Sequence, residues 1–356
     1  MRIAFLIRGI SDGGLERRTV NLANQFSENE TYHVSLLTGH VQDNEYKLAE
    51  KIDRIDLLNG NLLKDTFKLS KILLREKYDV IIGMGIYANW LVCLIRMIYK
   101  YKVIVVEAND PRHDSLSCYS RILRKILYWR ADGYVFQTEE EKTYYSKSIQ
   151  ERSIIIPNPV KNDLPHRSAN AKKEIVAVGR LMPQKNYAML IRAFDIVHKK
   201  NPEYLLRIFG KGIEENKLKK LIGELGLEEY VILEGFCVNV HEKIKDSDIF
   251  VMTSDYEGMP NSLMEAMAMG FPVISTNCGG GGPRELIENN FNGILVPIGD
   301  DVFLANKIDW LINNIEVKEQ LANHATDIRN SHSLSVIYKL WERYLMNFLK
   351  GTSNYV

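Results

Sequence analysis

The sequence predicts an α/β protein built from two doubly wound, parallel-sheet halves. Short runs rich in Val and Ile recur along the chain and alternate with helix-length amphipathic stretches, the pattern of βα units whose strands are buried on both faces. The runs fall into two series separated by a polar, proline-containing stretch. At 356 residues the chain also exceeds what a single hydrophobic core usually organises.

The first series comprises residues 2–7, 33–38, 79–83, 102–106, 133–137 and 153–156. The second comprises 174–178, 205–209, 231–233, 249–252, 272–275 and 293–296. Between them, Pro157-Asn158-Pro159-Val160 and residues 163–173, which include Pro165, form the best linker candidate, and a hinge there would set a cleft between the halves. Beyond Asp300 the pattern turns helical, with candidate helices over 303–312, 317–329 and 335–348. The expected domains are therefore 1–160 and 161–332, with a closing helical segment 333–356 packing back towards the first.

Hydrophobic residues make up 46% and charged residues 26% of the chain, which excludes disorder as its dominant state. A net charge of +1 gives no support for a nucleic-acid partner. Cys93, Cys118, Cys237 and Cys278 are scattered without ligand spacing, as expected in a reducing, cytoplasmic compartment. The apolar start stops at Arg8 with no basic leader, so it is taken as a first strand and not as a signal peptide. The longest apolar stretch, 89–99, contains Arg96 and falls short of the roughly 20 residues a spanning helix needs.

Three loops carry candidate chemistry. The first, Arg8-Gly-Ile-Ser-Asp-Gly13-Gly14-Leu-Glu16, follows the first strand and leads into a helix; paired glycines let the backbone approach a phosphate while the helix offers free N–H groups. The second, Gly179-Arg180-Leu-Met-Pro-Gln-Lys185-Asn186, follows a strand of the second half, where Arg180 supplies a donor fork and Lys185 a point charge suited to a diphosphate. The third, Glu257-Gly258-Met259-Pro260-Asn261-Ser262-Leu263-Met264-Glu265, runs from a loop into a helix. It offers one carboxylate to sugar hydroxyls, the amides of Met259, Asn261, Ser262 and Leu263 to phosphate, and Glu265 to a ribose diol about two turns on. Each loop alone is equally compatible with an ordinary turn, a solvated cation or a helix-favouring acid.

Together these motifs resemble the retaining family-four glycosyltransferases of the GT-B fold. Gly13-Gly14-Leu-Glu16, Gly179-Arg180…Lys185-Asn186, Glu257-x7-Glu265 and Gly279-Gly280…Glu285 occur in the family's order and spacing over nearly the whole chain. The resemblance implies two Rossmann-like domains facing across a cleft. It implies that Glu257 contacts the donor sugar, Glu265 the ribose, and Arg180 and Lys185 the diphosphate, with Gly13, Gly14, Gly179, Gly210, Phe236 and Gly258 completing the donor-binding set. It implies a nucleotide-sugar donor, UDP-sugar ahead of GDP-sugar, no further cofactor and no metal, and a saccharide acceptor carried on a lipid diphosphate in bacterial surface-glycan assembly. A phosphorylase or non-hydrolysing sugar-nucleotide epimerase of the same fold, or an inactive sugar-nucleotide-binding subunit, remains as an alternative.

One position departs from the family. Relatives often carry His or Arg where this chain has Ala108, so that role is not carried over, and Asn109 and Asp110 are the acceptor-side candidates in the same loop. The DxD-like Asp246-Ser247-Asp248 precedes a strand, at the sheet end away from ligands, and is expected to be structural. Residues 120–130 combine Ile122, Leu123, Ile126, Leu127 and Trp129 with Arg121, Arg124, Lys125 and Arg130. They fit either a core helix with a solvated basic face or peripheral contact with an anionic membrane on its cytoplasmic side.

Overall fold

The structure, a computed structural model, describes residues 1–11, 13–39, 41, 44–108, 110–113 and 117–351. It consists of two compact units, one of Met1–Pro159 together with residues 335–351, the other of Val160–Leu334.

In unit 1 the strands β1 (Arg2–Ile7), β2 (His33–Gly39), β3 (Asp53–Leu58), β4 (Val80–Met84), β5 (Lys102–Val106), β6 (Gly133–Phe136) and β7 (Ser153–Ile155) pair in parallel in the order β3-β2-β1-β4-β5-β6-β7. The period of two distributes β1 between two cores. Ile3, Phe5 and Ile7 pack with Val20 and Phe26, whereas Ala4 and Leu6 pack with Leu91 and Val92. The helix Leu334–Lys350 belongs to this unit and buries Trp341, Tyr344 and Phe348 in the first of these cores.

Unit 2 repeats the plan with β8 (Lys172–Val178), β9 (Leu205–Phe209), β10 (Val231–Gly235), β11 (Ser247–Met252), β12 (Val273–Thr276) and β13 (Ile294–Val296), parallel and ordered β10-β9-β8-β11-β12-β13. Strand order reverses between β1 and β4 in one sheet and between β8 and β11 in the other. Outside the carboxyl ends of such strand pairs the connections diverge to opposite faces and leave a crevice, which is where open α/β sheets bind ligands.

Three sequence expectations need correction. The strand β3 is absent from the predicted series because Asp53, Arg54 and Asp56 interrupt its apolar pattern; it is an edge strand whose exposed charges hide it. Residues 163–173 are not a free linker. Val160 and Leu164 are buried in a unit 2 core, the Arg167 guanidinium donates to Gly270 O at 2.9 Å and Glu319 Oε2 at 2.5 Å, and Lys172 already lies in β8. The helix expected over 317–329 runs Ile315–Ala325, with a separate turn Ile328–Ser331 after it.

Candidate functional site

At the unit 2 switch point, β8 ends at Val178 and the chain turns through Gly179 and Arg180 into a short 3-10 turn, Pro183–Lys185. Asn186 then adopts left-handed backbone angles (φ 45°, ψ 45°), which Asn tolerates better than most residues, and its side chain caps the helix Tyr187–His198 by accepting from Met189 N at 3.3 Å. This fixes where Lys185 leaves the turn.

The loop after β11 is tied to that turn on several levels. Asp255 N donates to Gln184 O at 2.8 Å, Gln184 Nε2 to Tyr256 O at 2.8 Å, Asn186 Nδ2 to Asp255 Oδ1 at 2.8 Å, and Thr253 Oγ1 to Lys185 O at 3.0 Å. Glu257 N donates to Gly279 O at 2.8 Å, so the Gly279-Gly280 loop joins the assembly. The Glu257 carboxylate accepts from Lys185 Nζ and, at 2.7 Å, from Ser254 Oγ. Both charged groups are largely withdrawn from water, with side-chain exposures of 15% for Lys185 and 10% for Glu257. Burial, and secondarily the Glu257 charge, push the Cys278 thiol up to about 12 and the Tyr187 hydroxyl further, so both stay neutral.

The glycines here serve close backbone approach. A Cβ on Gly282 would lie 1.7 Å from Gly258 O, and one on Gly210 1.9 Å from Gly179 O. The helix Asn261–Met269 starts at Pro260 with no side-chain cap, leaving its N-terminal dipole open to an anion, and Gly258, Met259, Asn261, Ser262 and Leu263 line its approach. Glu265 on this helix pairs with His241 Nε2 at 2.9 Å, both nearly buried. Arg180 is exposed and makes no side-chain hydrogen bond or ion pair among the described residues, and Phe236 projects into solvent just past β10. Unit 2 thus gathers a cation, two carboxylates and an uncapped helix start at one end of its sheet.

In unit 1, Gly13 is the extended residue before the helix Gly14–Ser27; its carbonyl accepts from Arg17 N at 3.0 Å and no side chain caps the start. The Glu16 carboxylate folds back over Gly13.

Residues 12–164 match the family model described as Glycosyltransferase Family 4, and residues 161–327 the one described as Glycosyl transferases group 1. A Campylobacter jejuni N-acetylgalactosamine-N,N'-diacetylbacillosaminyl-diphospho-undecaprenol 4-alpha-N-acetylgalactosaminyltransferase is 32% identical over 253 residues, covering 67% of this chain and 68% of the relative. The chain belongs to the family-four glycosyltransferases. An uncharacterized Haemophilus influenzae glycosyltransferase is 29% identical over 97% of this chain and 99% of its own length. Among solved structures, Anabaena HepE in complex with UDP superposes with a TM-score of 0.83 at 19% identity, over 98% of this chain and all of that one, and the shared fold is GT-B.

The other candidates in this glycosyltransferase are placed as follows. Asp110 is fully buried: its carboxylate accepts from Arg112 N at 3.0 Å and sits 2.6 Å from His113 Nδ1, a local turn that holds the histidine. Asn109 lies outside the described residues. Asp248 is engaged by Tyr204 Oη and Lys318 Nζ, each at 2.8 Å, and the Asp246 carbonyl accepts from Lys172 N at 2.6 Å, so this pair ties strands and helices together. Arg124 does not join a solvated basic face: it is buried, donates to Pro111 O and Tyr144 Oη at 3.1 Å each, and lies over the Tyr144 ring. Sequence reasoning missed Ser254, Asp255 and Gln184, which hold the Lys185–Glu257 pair, and His241, which holds Glu265. Ser254 stands only three residues before Glu257 and was findable; His241 is 24 residues from its partner and gives no signal in the sequence.

Proposed function

We propose that this glycosyltransferase moves a hexosyl or N-acetylhexosaminyl unit from a UDP-sugar to a hydroxyl of a lipid-diphosphate-linked saccharide, with retention of the α configuration, in bacterial surface-polysaccharide synthesis. The observation that carries it is the Lys185–Glu257 pair at the β8/β11 switch, which sets a cation for a diphosphate beside a carboxylate for a sugar. The UDP bound to HepE and the lipid-linked acceptor in the Campylobacter relative's name support the two substrate classes.

In this scheme Arg180, Lys185 and the start of the helix Asn261–Met269 stabilise the charge that grows on the leaving diphosphate, as preorganised donors that need no reorientation during the reaction. Glu265 takes the ribose diol and Glu257 the sugar hydroxyls. The acceptor oxygen bonds to the anomeric carbon on the face the diphosphate leaves, and the departing phosphate oxygen takes the hydroxyl proton. With two side-chain cations assigned to the diphosphate, the scheme calls for no divalent ion.

The test is release of UDP or GDP from a panel of sugar nucleotides by the purified protein, with and without bacterial lipid extract, followed by NMR of the product linkage. UDP release that requires the lipid fraction and yields an α-linkage, and that persists in EDTA, is expected. Interconversion of UDP-sugars without acceptor would instead identify an epimerase, and inertness towards every donor a binding subunit.

A further inference from the structure

The helix Cys118–Tyr128 is oriented against the usual rule for a surface helix. Its inner face buries Arg124 with Leu127 and Tyr128, while Tyr119, Ile122, Ile126 and Trp129, spaced three, four and three residues apart, form one apolar stripe on its outer face. Their exposures are 86%, 51%, 61% and 59%. Met97 and Ile98 on the neighbouring helix Ile86–Ile98 are exposed as well. Isolated exposed apolar residues are ordinary, but a continuous stripe of large ones on a helix marks a contact surface.

The charges around the stripe select the partner. None of the chain's 45 acidic residues lies within residues 86–100 or 117–130, which contribute Arg96, Lys100, Arg121, Arg124, Lys125 and Arg130. Lys125 is exposed with no ion-pair partner among the described residues, and Arg130 lies over the Trp129 ring at 5.1 Å. Past Trp129 the stripe runs into an open cleft of about 490 Å³ whose lining includes Met97, Arg96, Arg130, Arg152 and Asp132, three arginines to one carboxylate; Asp132 is paired with Arg96 at 2.8 Å, and Arg152 donates to the carbonyls of Ser148 and Ala131. No helix among the described residues is long and apolar enough to cross a membrane.

We propose that this face docks the protein on an anionic lipid bilayer. The helix lies in the interface plane, with Ile122, Ile126 and Trp129 below the headgroups and Lys125, Arg130 and Arg152 at phosphate level. Apolar burial and attraction to anionic headgroups act together there, and a neutral bilayer supplies only the first. The surface is independent of the sugar-transfer chemistry and stands whichever saccharide is the acceptor.

The experiment is co-sedimentation of the full chain with phosphatidylcholine vesicles with and without phosphatidylglycerol. Wild type should pellet with the anionic vesicles only. The combined Ile122→Ser, Ile126→Ser, Trp129→Ser variant should lose affinity by about a hundredfold, and Lys125→Glu by about tenfold. Both should hydrolyse a soluble donor at the wild-type rate, so a failure of the donor assignment appears separately, as loss of that activity in the wild type. Should the triple variant melt early, Lys125→Glu carries the comparison. Failure of wild type to pellet, equal pelleting with neutral vesicles or of both variants, or a concentration-dependent dimer in sedimentation velocity that the triple variant abolishes, would each overturn the proposal.

Discussion

Glu257→Gln should separate donor binding from transfer. In the free protein Glu257 holds the Lys185 ammonium, so an incoming diphosphate competes with a carboxylate for that cation. Two unit charges at contact distance attract by about 5 kcal/mol at an effective dielectric near 20, but desolvation of a nearly buried pair offsets most of it, leaving on the order of 1 kcal/mol. Gln keeps the shape and an acceptor for Ser254 while removing the charge, and so releases Lys185 to the phosphate. UDP should therefore bind Glu257→Gln as well as wild type, or up to about tenfold more tightly. Lys185→Met loses a charged hydrogen bond worth about 1.5 to 3 kcal/mol and should weaken UDP roughly ten- to a hundredfold. The double variant should match Lys185→Met, because the carboxylate has nothing left to compete for. Transfer by Glu257→Gln should still fall by about a hundredfold, since the sugar loses its positioning partner. Calorimetry with UDP and initial rates with the matching donor measure the two effects, with circular dichroism as the folding control. Equal loss of UDP affinity in Glu257→Gln and Lys185→Met would refute the assignment.

Three further outcomes are expected. His241→Ala removes the group that orients Glu265 and should weaken UDP about five- to tenfold with little change in kcat at saturating donor; unchanged UDP affinity would mean Glu265 needs no such support. Gly282→Ala drives a Cβ into the Gly258 carbonyl, and since both atoms are backbone the two loops must part, costing about 1 to 3 kcal/mol and lowering transfer by tenfold or more; unaltered melting and rate would show that the loops yield freely. Burial pushes the Glu141 carboxyl up to about 8 in unit 1, above its ordinary value of 4.5, so its contribution to stability is full below about pH 4.5 and is lost as pH rises through 8. Glu141→Gln keeps an acceptor for Gln137 N without the titration, so its melting temperature should gain on wild type between pH 5 and pH 8, and parallel pH profiles would contradict this.

Legibility of the fold followed burial. Strands covered on both faces, such as Val80–Met84 and Val103 to Val106, are uninterrupted apolar runs and could be found within a residue or two. The edge strand Asp53–Leu58 could not, because only Leu57 and Leu58 are buried. The closing helix Leu334–Lys350 shows its apolar period plainly. The segment after Pro159 misled because its polarity suggested solvent, whereas Arg167 is buried and bonded to unit 2 carbonyl and carboxylate groups. In the glycine-rich loops, spacing singled out Lys185, Glu257 and Glu265 as candidates, but not that the first two are paired, since 72 residues and a sheet register separate them. The helix Cys118–Tyr128 was ambiguous for a different reason. Apolar and basic residues share nearly every turn, and only the burial of Arg124 beside Tyr144 fixes which stripe faces out.

The helix Leu334–Lys350 also sets the order in which the protein is completed during synthesis. Residues 1–159 leave the ribosome first, yet the core they must close contains Trp341, Tyr344 and Phe348, which follow all of unit 2 in the chain. The usual sequence, in which the N-terminal unit folds before the next emerges, is thereby inverted. Until that helix arrives, the apolar side chains of Phe5, Phe26 and Ile104 lack part of their cover and form a surface that a chaperone or a second nascent chain can occupy. Unit 2, whose residues are contiguous, can finish independently in the interval. A stop codon placed just before residue 335 would accordingly spare unit 2 and unfold the other.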